Sequence, residues 1–110
     1  MKFIVERKTW YRGNGSSSSM LLRDDGTRCC IGFVGKQCGI ADGILLHRGA
    51  AHQVDAPIRK WPVWFKVGEA ASPLSEAYTI NDDPSLSEPV REEKLISLFA
   101  ENGDEIVFVD

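Results

Sequence analysis

The segment that most restricts the fold is the last one, SEPVREEKLISLFAENGDEIVFVD, from Ser87 to Asp110, which reads as a helix, a tight turn and a strand in succession. Ser87 stands where an N-cap belongs, Pro89 falls in the first turn where its missing N–H costs nothing, and Gly103 follows as a C-terminal stop. Glu88, Glu92 and Glu93 lie toward the amino end, where the helix dipole favours negative charge. Leu95, Leu98 and Phe99 recur at helical spacing with Ile96 and Ala100 beside them, so the helix is predicted to lay an apolar stripe on a sheet. The strand is apolar from Ile106 to Val109 without alternation, a pattern that implies burial on both faces and a place inside the sheet. Phe3 to Val5, aromatic and β-branched, supplies a second strand. The expected fold is a single small α+β domain over residues 1–110, its N- and C-terminal strands in one sheet covered by two or three helices.

At 110 residues and 43% hydrophobic content, the chain is large enough for one core. The apolar run after Met1 is closed by Glu6, too short for a signal peptide or a membrane span, so the expected location is the cytoplasm with no membrane partner. A shorter helix is predicted to open at Ser72 with Pro73 in its first position and to end at Asn81, Asp82, Asp83 and Pro84. Adjacent aspartates before a proline are turn formers, and the glycine and glutamate of a Ca²⁺ loop are missing from the required positions. Residues 40–71 carry no clear period and are expected to be irregular around one short helix, while 13–19, GNGSSSS, reads as a flexible loop.

All three cysteines fall in RCCIGFVGKQCG, Arg28 to Gly39. An odd number in a chain without an export signal argues for reduced thiols. With Thr27 as N-cap, residues 28–38 make a helix on which Cys30, Ile31, Phe33, Val34 and Cys38 share an arc of about 160°, and so read as core. Gly32 and Gly35 then mark a close approach of another part of the chain. Cys30 and Cys38 lie about 12 Å apart along the axis, beyond the reach of one Zn²⁺ with sulfur bonds of about 2.3 Å. His47 and His52 lack the four-residue separation that shares a helical face, so neither metal nor cofactor is expected. Cys29, at the border of the apolar arc and near the helix amino end, keeps one chemical reading: a thiolate stabilised by free N–H groups, with His47 or His52 as base, in a cysteine-dependent hydrolase.

Charge is divided along the chain. Met1 to Lys66 holds eleven Lys and Arg against five Asp and Glu, and Val67 to Asp110 holds two against eleven. Either one face is basic and another acidic, the latter imitating nucleic acid, or the two halves fold together and their charges interleave. RKWPVWFK is the candidate partner-binding segment: Arg59, Lys60, Trp61 and Trp64 combine cations with aromatic rings, although both indoles also suit a core. A second candidate, for a nucleotide or other small ligand, is Trp10, Tyr11, Arg12 and Asn14 at the entry to the Gly/Ser loop, which lacks both the dinucleotide and the P-loop fingerprints.

WYRG, LLRDDGTRCCIGFVGKQCG and INDDPSLSEPVREEKLISLFAENGDEIVFVD resemble the two ends of a family of small uncharacterised proteins encoded by bacteriophages and prophages, over residues 10–39 and 79–110. The resemblance brings no catalytic or binding residue with it. It implies a context: a non-enzymatic accessory protein in the bacterial host cytoplasm that binds a host or phage macromolecule. Nucleoprotein complexes of antiviral defence, and hence anti-CRISPR action, fall within that class.

Overall fold

The computed structural model describes residues 1–13, 20–67, 69 and 72–110, so most of the predicted Gly/Ser loop, Asn14 included, lies outside the described residues. Strands β1 (Lys2–Glu6) and β2 (Glu105–Val109) pair in parallel, in register from Lys2 opposite Glu105 to Glu6 opposite Val109, and form a two-stranded sheet. The fold is α+β, as expected. Among the described residues, four α-helices run between the strands, α1 (Cys30–Gln37), α2 (Asp42–Leu45), α3 (Pro73–Asp82) and α4 (Glu88–Glu101). The middle of the chain adds single 3-10 turns at Ala51–Gln53, Ile58–Lys60 and Val63–Phe65. Among the described residues no helix is long and apolar enough to cross a membrane.

The predicted place of β2 is corrected. A two-stranded sheet consists of edges, and β2 alternates: Ile106 and Phe108 are buried while Val107 and Val109 are half-buried on the opposite face. The unbroken apolar run reflects the preference of β-branched residues for a pleated surface, without a second covering layer. On the buried side, Phe3 and Val5 of β1 join Ile106 and Phe108 against the helices. Leu95, Leu98 and Phe99 of α4 close that core, with the Phe99 ring 6.1 Å from Phe3 and 4.9 Å from Trp64, whereas Ile96 and Ala100 stay exposed.

Helix α1 begins two residues later than predicted. Its N-cap is Cys29, in extended conformation and without a side-chain cap bond. Thr27 is diverted, because its hydroxyl donates to Asp25 at 2.6 Å, and Arg28 bridges to Trp10 in strand-like pairing. The buried set is otherwise as expected, with Cys30, Ile31, Phe33 and Val34 inside and Cys38 partly so. Helix α3 starts as predicted, the Ser72 hydroxyl accepting from Ser75 N–H at 3.3 Å. Its far end is held from α4: Arg91, 5% exposed, donates to the carbonyls of Asn81, Asp83 and Leu86, placing a cation at the negative end of the α3 dipole.

The two charged halves do interleave in part. The Met1 amino group pairs with Asp104 at 2.7 Å, Arg7 with Glu92 at 2.7 Å and Asp110 at 2.9 Å, and Arg12 with Glu88 at 2.9 Å. Each of these bonds ties the basic first half to the acidic second.

Candidate functional site

The cysteines come first, because they carried the only catalytic expectation. Cys29 is 1% exposed, and burial pushes its thiol up to about 12, against an ordinary 9.0. Desolvation therefore outweighs the stabilisation that nearby N–H groups give the thiolate, and Cys29, which the hydrolase alternative needs as a thiolate, is a core residue. Cys30 is raised by the same cause. His47 does not complete a dyad with Cys29: its Nε2 lies 2.6 Å from Asp24 Oδ1 on the surface, and His52 sits on a separate 3-10 turn. Among the described residues no group of three His, Cys, Asp or Glu is arranged to hold a metal. Asp83 acts in a turn, its carboxylate accepting from the Ser85 hydroxyl at 2.6 Å and from Ser85 N–H at 2.9 Å.

Two consequences can be measured. In native protein, iodoacetamide is expected to modify the half-buried Cys38 at least tenfold faster than Cys29 or Cys30, and all three equally after unfolding. Stability is expected to fall at alkaline pH. Below pH 9 the Cys29 thiol is protonated in both folded and unfolded chains, so its contribution is complete. Above that pH only the unfolded thiol ionises, and Cys29 alone removes about 1 kcal/mol per pH unit until its folded value near 12 is approached. An alkaline limb that Cys29→Ala leaves unchanged in urea titrations at pH 8 to 11 would contradict this.

The small-ligand candidate is also built into the fold. Trp10 is 4% exposed, its indole N–H donates to Asn81 Oδ1 at 2.8 Å, and its ring lies 4.7 Å from Phe108. The Arg12 guanidinium sits 4.6 Å over the Trp10 ring and pairs with Glu88, while Arg23 sits 4.1 Å over the Tyr11 ring. Each of these two rings is thus already in contact with an internal cation, and a stacking base must compete with it. The residue that sequence reasoning missed here is Asn81, fully buried between Trp10 and α1. Nothing marked it in INDDP, where an asparagine before aspartates reads as a turn residue.

RKWPVWFK divides by side. Trp61 and Trp64, expected at the partner surface, are 4% and 9% exposed and belong to the core. Trp61 stacks on Phe65 at 5.9 Å, and Trp64 meets Phe65 edge-on at 4.7 Å while donating its N–H to Asp104 at 2.8 Å. Two 3-10 turns around Pro62 turn these rings inward and leave Arg59, Lys60, Val63 and Lys66 outside, with Val63 93% exposed. The Lys60 ammonium reaches to 3.8 Å from where a Cβ on Gly39 would stand, at the carboxyl end of α1, whose last turn carries Lys36. Cations gather there on the negative end of a helix dipole.

No family model, curated protein or solved structure matches this chain. The chemistry of its own surfaces therefore carries the functional reading. Another such surface is the groove of about 390 Å³ between α3 and α4, lined by Ile80, Val90 and Leu98 together with Glu76, Glu93, Glu101 and Lys94.

Proposed function

We propose that this chain is a small accessory protein that acts by binding an acidic macromolecular surface of a host or phage component, and that it does not turn over a substrate. The resemblance to phage-encoded proteins makes nucleoprotein complexes of antiviral defence the first partners to test.

The observation that carries this reading is the tip formed by Val63. An aliphatic side chain 93% exposed lies in one short segment with exposed Arg59, Lys60 and Lys66, and the two indoles of that segment are buried. Buried indoles anchor the segment and lower the entropic cost of docking, and an exposed apolar residue flanked in sequence by cations suits a protein interface. The cations steer an acidic partner from a distance and fix its orientation on contact. The buried thiol of Cys29 and the occupied rings of Trp10 and Tyr11 favour this reading over the hydrolase and nucleotide alternatives.

The test is affinity purification from bacterial cells, read by native mass spectrometry, with a variant carrying Arg59→Glu, Lys60→Glu and Lys66→Glu. The changed side chains are exposed, so the melting temperature should hold while partner capture falls at least tenfold. Capture by the parent protein should also weaken as salt rises from about 0.05 to 0.5 M. A partner retained by the triple variant and indifferent to salt would sink the assignment.

A further inference from the structure

The outer edge of β1 is filled by an imitation of a peptide. Met1 C=O accepts from Glu105 N–H at 2.8 Å on the β2 side, so by alternation the backbone groups of Lys2 and Ile4 face away from β2. Gln37, exposed at the end of α1, closes on that edge with its side-chain amide. Ile4 N–H donates to Gln37 Oε1 at 2.8 Å, and Gln37 Nε2 donates back to Ile4 C=O at 2.6 Å. One group giving and receiving a bond with the same residue reproduces the hydrogen-bonded pair of an antiparallel ladder. Both bonds are exposed to solvent, where exchange for another donor and acceptor costs little.

Beside this edge runs a groove of about 670 Å³, walled by Ile4 and Phe33, with Lys36 as its exposed cation and Glu6 as its acid, while Arg28 in its wall is buried and paired with Asp42 at 3.3 Å. Lys2 adds a further exposed cation on the same edge. Strand-like pairing resumes at one end of the groove, where Tyr11 N–H donates to Arg28 C=O at 2.8 Å and Arg28 N–H to Thr9 C=O at 2.9 Å.

We propose that the β1 edge is a docking slot for an extended, acidic polypeptide segment, which pairs antiparallel with Lys2–Glu6 and displaces the Gln37 amide. Only a polypeptide repeats N–H and C=O at the spacing that the edge presents. Lys2 and Lys36, both exposed, outnumber Glu6 along this edge and select acidic side chains. Five residues of β1 at about 3.3 Å each give room for a segment of about 16 Å. The slot rests on the binding function proposed above and names the element that the partner brings.

The full-length ¹⁵N-labelled protein is titrated with a capped heptapeptide of alternating glutamate and valine. The controls are its lysine–valine counterpart, an N-methylated version that lacks alternate backbone donors, and a ten-residue oligothymidine. The glutamate peptide is expected to shift the amides of Lys2, Ile4 and Glu6, and the peptide controls to leave them in place. Gln37→Ala should bind it about tenfold more tightly, since the competitor is gone, and Lys36→Glu about tenfold more weakly. Lys36 is exposed, so its variant keeps the test valid if Gln37→Ala fails to fold. Oligothymidine shifting Lys36 while the peptide leaves Ile4 unmoved would overturn the slot in favour of nucleic acid. Loss of the captured partner on reversing Arg59, Lys60 and Lys66, with Ile4 unmoved by the peptide, would overturn the slot and leave the binding function standing.

Discussion

Asn81→Ala is expected to destabilise the protein by about 4 kcal/mol, a large fraction of the stability of a domain this size. Asn81 is 0% exposed at the end of α3, and its Oδ1 accepts from Trp10 Nε1 at 2.8 Å and from Cys30 N–H at 3.1 Å. Its Nδ2 donates to Tyr11 C=O at 3.1 Å and to Asp82 at 2.9 Å. Cys30 N–H belongs to the first turn of α1, where helical geometry supplies no carbonyl partner, and Cys29 provides no side-chain cap. Asn81 therefore caps α1 from another helix while it fixes the Trp10 indole. Truncation leaves buried donors and a buried acceptor unpaired, each at about 1–3 kcal/mol. Asn81→Asp keeps both acceptor contacts but buries a charge and sets an oxygen against Tyr11 C=O and Asp82, so it is expected to cost at least as much. Urea unfolding followed by tryptophan fluorescence measures both variants, and a loss below about 1 kcal/mol for Asn81→Ala would mean that the pocket rehydrates.

That cap shows where the sequence is legible and where it is not. The α4 stripe, the Ser72 cap, and the cysteines and glycines of α1 are written in local spacing, since burial on a helix follows a period of 3.6 residues. The cap of α1 is not local: it comes from Asn81, 51 residues from Cys30, and no window around Thr27 contains it. Trp61 and Trp64, which suit either a partner surface or a core, lie in the core, because in a proline-broken segment the inward side is set by which neighbour a ring meets. For these rings the neighbours are Phe65 and Phe99. At Cys29 two effects compete, the helix terminus lowering its pKa and burial raising it, and only burial is invisible in sequence. The interior place expected for β2 depended on a third strand that local composition cannot count, and the Gln37 bonds to Ile4 span 33 residues.

Glycine substitutions in and around α1 carry the second large expected effect, because one of them places a new atom against fixed backbone. At Gly32 a Cβ would stand 1.9 Å from the Leu21 carbonyl oxygen and 2.7 Å from its carbon. Leu21 cannot easily retreat: its own N–H donates to Arg48 C=O at 2.8 Å, and the preceding Met20 C=O accepts from Cys29 N–H at 3.0 Å. Alanine normally gains about 1 kcal/mol over glycine inside a helix, so a loss of about 3 kcal/mol or more at Gly32→Ala isolates the cost of the displaced segment. Gly35→Ala meets the rim of the Trp61 ring at 2.8 Å and Leu45 at 3.2 Å, side-chain atoms that yield, and is expected to lose about 1–2 kcal/mol. Gly43→Ala, in α2 with nothing within 4 Å of the new atom, is expected to gain up to about 1 kcal/mol. The order Gly43, Gly35, Gly32 in urea midpoints follows from what each Cβ would touch. A Gly32→Ala variant as stable as the parent would show that α1 and the Leu21 segment pack more loosely than these distances require.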